Sequence, residues 1–234
     1  MRFHEINESI NDKGIFKAVF LAGLPGAGKS TVTQKVTDGA VNPRIVNTDR
    51  SYEFLLKKHG KEANREAWKL LGKTSEILNK SMLENYLNGM LPMFIDGTSS
   101  NPSSAMRRAG IVESLGYDIA MVWVNITLDT ALKRIAGRER KVNTEFVKSI
   151  YETIEDNKGL YKSRFGANFI EVNNNNDNFS AMEGQVYNTV TKFFSSPVIN
   201  PIGKRIIDKG EKYLIPNVYD SEYINKIVNV WYNK

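Results

Sequence analysis

The chain has no cysteine among its 234 residues and only two histidines, His4 and His59. The first absence excludes a disulfide framework, thiolate metal sites and a cysteine nucleophile. Two isolated histidines cannot make a zinc site between them. Long apolar runs are missing too: none approaches the roughly 20 residues that a membrane-spanning helix needs. The opening MRFHEINESINDKG is polar and lacks the apolar centre of a signal peptide. The expectation is a cytoplasmic protein with no membrane partner.

What is present is ordinary in amount and uneven in placement. Hydrophobic residues make up 41% and charged residues 25%, enough for one α/β domain with appendages. The net charge of +6 and a pI near 9.3 favour polyanionic partners. Much of the excess gathers in one stretch, where Lys133, Arg134, Arg138, Arg140, Lys141 and Lys148 stand against Glu139 and Glu145.

Apolar strands alternate with helical patterns along the chain. KAVFLA (17–22) reads as a buried strand, followed by a glycine turn and a helix from Lys29 that Gly39 stops. A short strand at 44–48 ends at Asp49. A long helical region follows, in which Trp68, Leu71, Ile77, Leu78, Met82, Tyr86 and Met90 mark one apolar face. MFID (93–96) is a strand that again ends in aspartate. Asn101 and Pro102 supply a cap and first turn for the next helix, which runs to Leu115 and Gly116. IAMVWVNI (119–126), the most hydrophobic strand, is expected at the centre of the sheet. Helices follow at 128–138 and 144–156, then a strand at 167–172 and an asparagine run, 173–176, read as a polar surface loop. From about Ser195 two prolines suggest a linker. The tail ends in an amphipathic helix near 221–231 with Ile224, Ile227, Val228 and Trp231 on one side. This order predicts a parallel sheet covered by helices, with its pocket at the carboxyl ends of the strands.

The most specific chemistry lies in GLPGAGKST. Gly23, Gly26, Ala27, Gly28, Lys29 and Ser30 fall within a complete G-x-x-x-x-G-K-[ST] pattern, continued by Thr31, between a strand and a helix. Glycines there let backbone N–H groups turn inward around a β-phosphate, while a lysine reaches the β- and γ-oxygens and a serine hydroxyl ligates Mg²⁺. The helix dipole adds to the attraction. No guanine-reading NKxD-type motif is present, so ATP with Mg²⁺ is the expected pair. MFIDGT carries one aspartate with no glutamate beside it, unlike a motor ATPase, which makes a kinase the economical reading.

A kinase of this size also needs a base, groups that hold the acceptor and arginines that neutralise the transferring phosphoryl. Asp49, in VNTDRSY, can accept the hydroxyl proton; the competing role is a helix N-cap. Arg50 can hold an anionic group. Asp96, Thr98 and Asn101 can line the same pocket, or can merely stabilise their loop through side-chain hydrogen bonds. Arg134 and Arg138, four apart, share a helix face, and Arg140 lies beyond them in a stretch able to close as a lid.

Together these segments resemble the polynucleotide kinase and zeta-toxin group of P-loop kinases, above all the 5′-hydroxyl kinase domain of phage polynucleotide kinase. The similarity runs in order through GLPGAGKST, NTDRSY, DGTSSNPSSAMRR, VWVNITLDTALKRIAGRERKV and NTEFVKSIY, over about residues 17–156. It implies a three-layer α/β/α P-loop fold and a kinase domain, taken over 1–195 with a basic lid at about 134–145; the prolines and the amphipathic pattern make 196–234 a linker with a helical tail. By the same likeness Lys29 and Ser30 act on ATP and Mg²⁺, Asp49 is the base, Asp96 orients the substrate, and Arg134 and Arg138 match lid arginines. One position departs: Tyr52 stands where the polynucleotide enzymes carry an arginine that holds the nucleic-acid end. The acceptor implied is therefore a nucleic-acid hydroxyl, either a 5′ end or a hydroxymethylated base, which Tyr52 or the tail can serve. A UDP-N-acetylhexosamine, as for zeta toxins, and a non-catalytic nucleotide-binding module are the alternatives. Asparagine richness and compact size suit a phage or low-GC bacterial source, in the first case a phage-encoded protein acting in the host cytoplasm.

Overall fold

A computed structural model describes residues 14–37, 41–137, 143–175, 179–209 and 221–232. Five strands, β1 (Lys17–Ala22), β2 (Arg44–Val46), β3 (Met93–Ile95), β4 (Asp118–Asn125) and β5 (Phe169–Asn173), pair in parallel in the order β2-β3-β1-β4-β5. Parallel neighbours need crossovers, and helices supply them on both faces in a three-layer α/β/α arrangement. Every residue of β1 is buried, as a strand covered on both sides requires. The middle position belongs to β1, not to the more hydrophobic β4, which lies one strand further out. The chain leaves β1 towards β2, comes back to β3, and only then crosses to β4. That reversal beside β1 is where an open parallel sheet forms its crevice.

The helices are α1 (Lys29–Thr37), α2 (Thr48–Lys58), α3 (Arg65–Asn88), α4 (Pro102–Ser114), α5 (Leu128–Ala136), α6 (Thr144–Phe165), α7 (Phe179–Ser195), α8 (Pro201–Lys209) and α9 (Ser221–Tyr232). Gly39, the expected stop of α1, lies outside the described residues. The long helical region after β2 divides in two: Gly60 takes φ +58°, and Asn64 caps α3 by accepting the Ala67 amide at 2.8 Å. Helix α6 outruns its expected end because its buried stripe, Val147, Ile150, Ile154, Tyr161 and Phe165, continues. Helix α7 was not read from the sequence.

The face of α3 differs from expectation. Trp68, Ile77, Leu78 and Met82 are exposed, while the buried series Ala67, Leu71, Ser75, Asn79, Leu83 and Leu87 steps by four. Half of that series is small or polar, and small residues admit neighbouring helices closely. Asn79 takes the Ser51 hydroxyl of α2 at 2.7 Å through its side chain and the Tyr232 hydroxyl of α9 at 3.3 Å through its carbonyl.

The residues read as a linker are bound to the core. Lys17 at the start of β1 pairs with Asp118 at the start of β4 at 2.7 Å, and both are buried. Lys17 also donates to Ser196 Oγ and the Pro197 carbonyl, each at 3.0 Å. Asp118 accepts the amides of Ile199 and Asn200 at 3.0 and 2.7 Å. In place of further linker, Pro201 opens α8. A Cβ on Gly203 would stand 2.2 Å from the carbonyl oxygen of Gly116, so only glycine permits that crossing. The last helix packs against α3 and α4, with Ile224, Val228 and Trp231 each 1% exposed.

Candidate nucleotide and acceptor site

The turn from β1 into α1 is set by backbone geometry. Gly23, Gly26 and Gly28 take φ +137°, +88° and +92°, which L side chains rarely adopt. A Cβ at Gly23 would stand 2.4 Å from the Val124 carbonyl, and one at Gly26 would stand 3.1 Å from that of Ala131. The loop is thus pressed between β4 at Gly23 and α5 at Gly26, leaving no room for a side chain at the first and little at the second. Lys29 arches over it and donates to the carbonyls of Gly23 and Leu24 at 2.8 and 3.0 Å. Ser30 and Thr31 are exposed on the first turn of α1. Backbone amides, an ammonium, hydroxyls and a helix N-terminus fit a nucleotide's phosphates. Among the described residues no group of three histidine, aspartate or glutamate side chains could hold a metal ion. The exposed Ser30 hydroxyl, in company with phosphate oxygens, is the group that would hold Mg²⁺.

The asparagine run does more than line the surface. Asn174 is 3% exposed, and its Nδ2 donates to the Ala27 carbonyl at 2.7 Å. Its backbone amide donates to Asn125 at 2.8 Å, and Asn175 accepts the Thr127 amide at 2.5 Å. The end of β5 thereby supports the phosphate loop from below.

Across the rim, Asn47 joins the two aspartates. Its Oδ1 accepts the Asp49 amide at 2.7 Å, and its Nδ2 donates to Asp96 Oδ2 at 2.7 Å. Asn47 is the N-cap of α2, so Asp49 sits in the first turn of that helix and capping is not its task. The Asp49 side chain is exposed and that of Asp96 half-buried. The Asp96 amide continues the ladder to the Val46 carbonyl at 2.9 Å, which fixes the carboxylate at the carboxyl end of the sheet.

The segment after Asp96 is tied to its surroundings. Thr98 accepts the Gly23 amide at 3.2 Å on its carbonyl, and its hydroxyl lies 3.0 Å from that of Ser100. Ser99, at φ +54°, donates to the Leu21 carbonyl at 2.9 Å. From α6, Tyr161 donates to the Ser99 carbonyl at 2.6 Å and Asn157 to that of Ser100 at 3.1 Å. Burial pushes the Tyr161 hydroxyl up to about 12, so it remains a donor at neutral pH. Asn101 caps α4 through the Ser104 amide at 3.0 Å. Asp96, Thr98 and Asn101 line one recess of about 200 Å³.

The other expected site residues divide. Helix α5 passes the loop at Gly26 through Ala131 and Ile135, and Arg134, half-buried, lies on that stretch. Arg138 and Arg140, with much of the expected lid, lie outside the described residues. Arg50 is exposed and does not line that recess; with Arg44 it lowers the pKa of the Tyr86 hydroxyl against a larger rise from burial. Tyr52 is half-buried among Leu55, Leu56, Ala67 and Leu71, its ring edge-on to Trp68 at 4.9 Å. Sequence reasoning missed Asn47 and Asn174. The usable signal for the first was asparagine's preference for N-caps, and none marked the second.

The same fold occurs in a candidate kinase from Chloroflexus aurantiacus, at 14% identity over 76% of this chain and 98% of that one, with a TM-score of 0.53. A gluconokinase from Sinorhizobium meliloti matches at 12% identity over 76% and 93%, with a TM-score of 0.48. A shikimate kinase from Bacteroides thetaiotaomicron does so at 12% over 77% and 99%, with 0.46. Residues 19–157, more than half of the chain, match the model of the AAA domain family. With its phosphate loop and five-stranded parallel sheet, the protein belongs to that family and has its P-loop α/β/α fold.

Proposed function

We propose that the protein transfers the γ-phosphoryl group of ATP to a hydroxyl of nucleic acid, either a 5′ end or a hydroxymethylated base. The observation that carries this reading is the placement of Asp49 and Asp96 on the strand-end rim that also bears the phosphate loop, with Asn47 accepting the Asp49 amide and donating to the Asp96 carboxylate. The loop amides and Lys29 hold the β- and γ-phosphates. Mg²⁺, when bound beside Ser30, neutralises phosphate charge. Asp49 takes the proton of the acceptor hydroxyl as its oxygen forms a bond to the γ-phosphorus. The bond from that phosphorus to the β–γ bridging oxygen breaks and ADP leaves. Asp96, held by Asn47, orients the acceptor. Arg134 and Arg138 supply positive charge where the phosphoryl group transfers. The net charge of +6 suits a polyanionic acceptor.

The test is transfer from γ-labelled ATP, with Mg²⁺, to 5′-hydroxyl DNA and RNA, hydroxymethyl-base DNA and UDP-N-acetylglucosamine. Label on a nucleic acid, with a KM that climbs steeply with salt, supports the proposal. Label on the sugar nucleotide alone overturns it in favour of a zeta-type kinase. ATP binding with no label on any acceptor overturns it in favour of a binding module.

A further inference from the structure

Between α3, α4 and α9 lies a cleft of about 800 Å³ that the catalytic reading does not use. It adjoins the acceptor recess, because Asn101, Ser104 and Arg108 line both. Its walls carry three cations, Lys80, Arg107 and Arg108, against one carboxylate, Glu76. Two of the cations are held by the last helix: Arg108 Nε reaches the Trp231 carbonyl at 3.4 Å, and Lys80 reaches Asn229 Oδ1 at 2.9 Å.

Trp68 stands in this cleft, 51% exposed, whereas the other two tryptophans, Trp123 and Trp231, are each 1% exposed. The exposed indole is fixed. Three of its ring atoms would lie 3.0–3.3 Å from a Cβ on Gly72, so the ring rests on the helix where a side chain is missing. The Tyr52 ring abuts it edge-on. A glycine inside a helix is unfavourable relative to alanine, and here it seats a large apolar ring that stays half in water. Packing against Tyr52 and Gly72 holds the ring, but half of it stays in water. A rigid aromatic face beside a row of cations is the arrangement by which proteins take single-stranded nucleic acid, stacking a base and neutralising its phosphates.

We infer that Trp68, seated on Gly72, stacks a nucleobase of the acceptor strand, with the flanking phosphates on Arg107, Arg108 and Lys80. The inference rests on the nucleic-acid reading of the acceptor. It also gives the tail a function, since α9 positions two of the three cations. The strand then runs from the rim recess along α4 into the cleft.

Tryptophan fluorescence tests this directly, because the other two indoles are buried. Addition of a single-stranded 5′-hydroxyl oligonucleotide without ATP is expected to quench emission, and Trp68→Phe to lose most of that response. Trp68→Ala is expected to raise the KM for the oligonucleotide about tenfold with the KM for ATP unchanged. Gly72→Ala, which displaces the ring but keeps it, is expected to do the same more weakly. Phosphorylated oligonucleotides with no quench, and no KM change in Trp68→Ala, would overturn the platform and leave the kinase reading standing. Quenching by an oligonucleotide that is never phosphorylated would overturn the acceptor-strand assignment and remove nucleic acid as phosphoryl acceptor. Quenching by UDP-N-acetylglucosamine and not by oligonucleotides would overturn the strand assignment.

Discussion

The two ends of the sheet use charge in opposite ways. At the amino ends of the strands, Lys17 and Asp118 are 2% and 6% exposed and saturated by each other, two backbone amides, a carbonyl and a hydroxyl. At the carboxyl ends, Asp49 is exposed, Asp96 is half-buried, and Lys29 arches over a bare backbone loop. A buried pair cannot exchange partners without leaving a charge stranded, so it fixes the structure. Carboxylates at an open rim can take and release a proton or a substrate. Burial and hydrogen-bond saturation thus separate a clamp from a reactive site built of the same residue types.

Substitutions at the two ends can break that contrast. The largest effect is expected at the rim: Lys29→Ala should lower transfer by about 10³-fold while the urea midpoint stays close to wild type. A large loss of stability in that variant would make Lys29 a structural residue. At the other end, Asp118→Ala strands the Lys17 ammonium and is expected to cost about 3–5 kcal/mol of folding free energy in denaturant titration. Transfer per folded molecule should be kept; a change in the KM for ATP would show that the two ends are coupled. Asn47→Ala removes both a helix cap and the bond to Asp96. It is expected to cost about 1 kcal/mol of stability and to slow turnover, since Asp96 loses its fixed orientation. The smallest effect belongs to Asn174→Ala, which frees the Ala27 carbonyl and should weaken nucleotide binding about fivefold, or about 1 kcal/mol, by calorimetry.

Much of the rim was legible because backbone demands leave marks in sequence. The loop needs positive φ at 23, 26 and 28 and close approach at 23 and 26, and only glycine meets these requirements. The strand end before Asp96, the Asn101–Pro102 helix start and the apolar side of α9 were legible for similar local reasons, whereas β2 stops at Val46 and Asp49 lies inside α2. Contacts between distant residues left no such mark. Asn174 supports Ala27 across 147 positions, and Lys17 meets Asp118 across 101, and nothing in an asparagine run or at a strand's first residue announces a partner. The α3 face was misread because weight was given to size. Trp68 faces the cleft and Ile77, Leu78 and Met82 face solvent, while Ala67, Ser75 and Asn79 share the packing with Leu71, Leu83 and Leu87.

The most direct test of a reactive rim is label transfer from γ-labelled ATP to a 5′-hydroxyl oligonucleotide, with wild type and Asp49→Asn assayed side by side. Wild type is expected to label the oligonucleotide, and the variant to do so about 10²-fold more slowly at unchanged ATP affinity. No label with wild type, or undiminished label with Asp49→Asn, would contradict Asp49 as the base that delivers a nucleic-acid hydroxyl to the γ-phosphate.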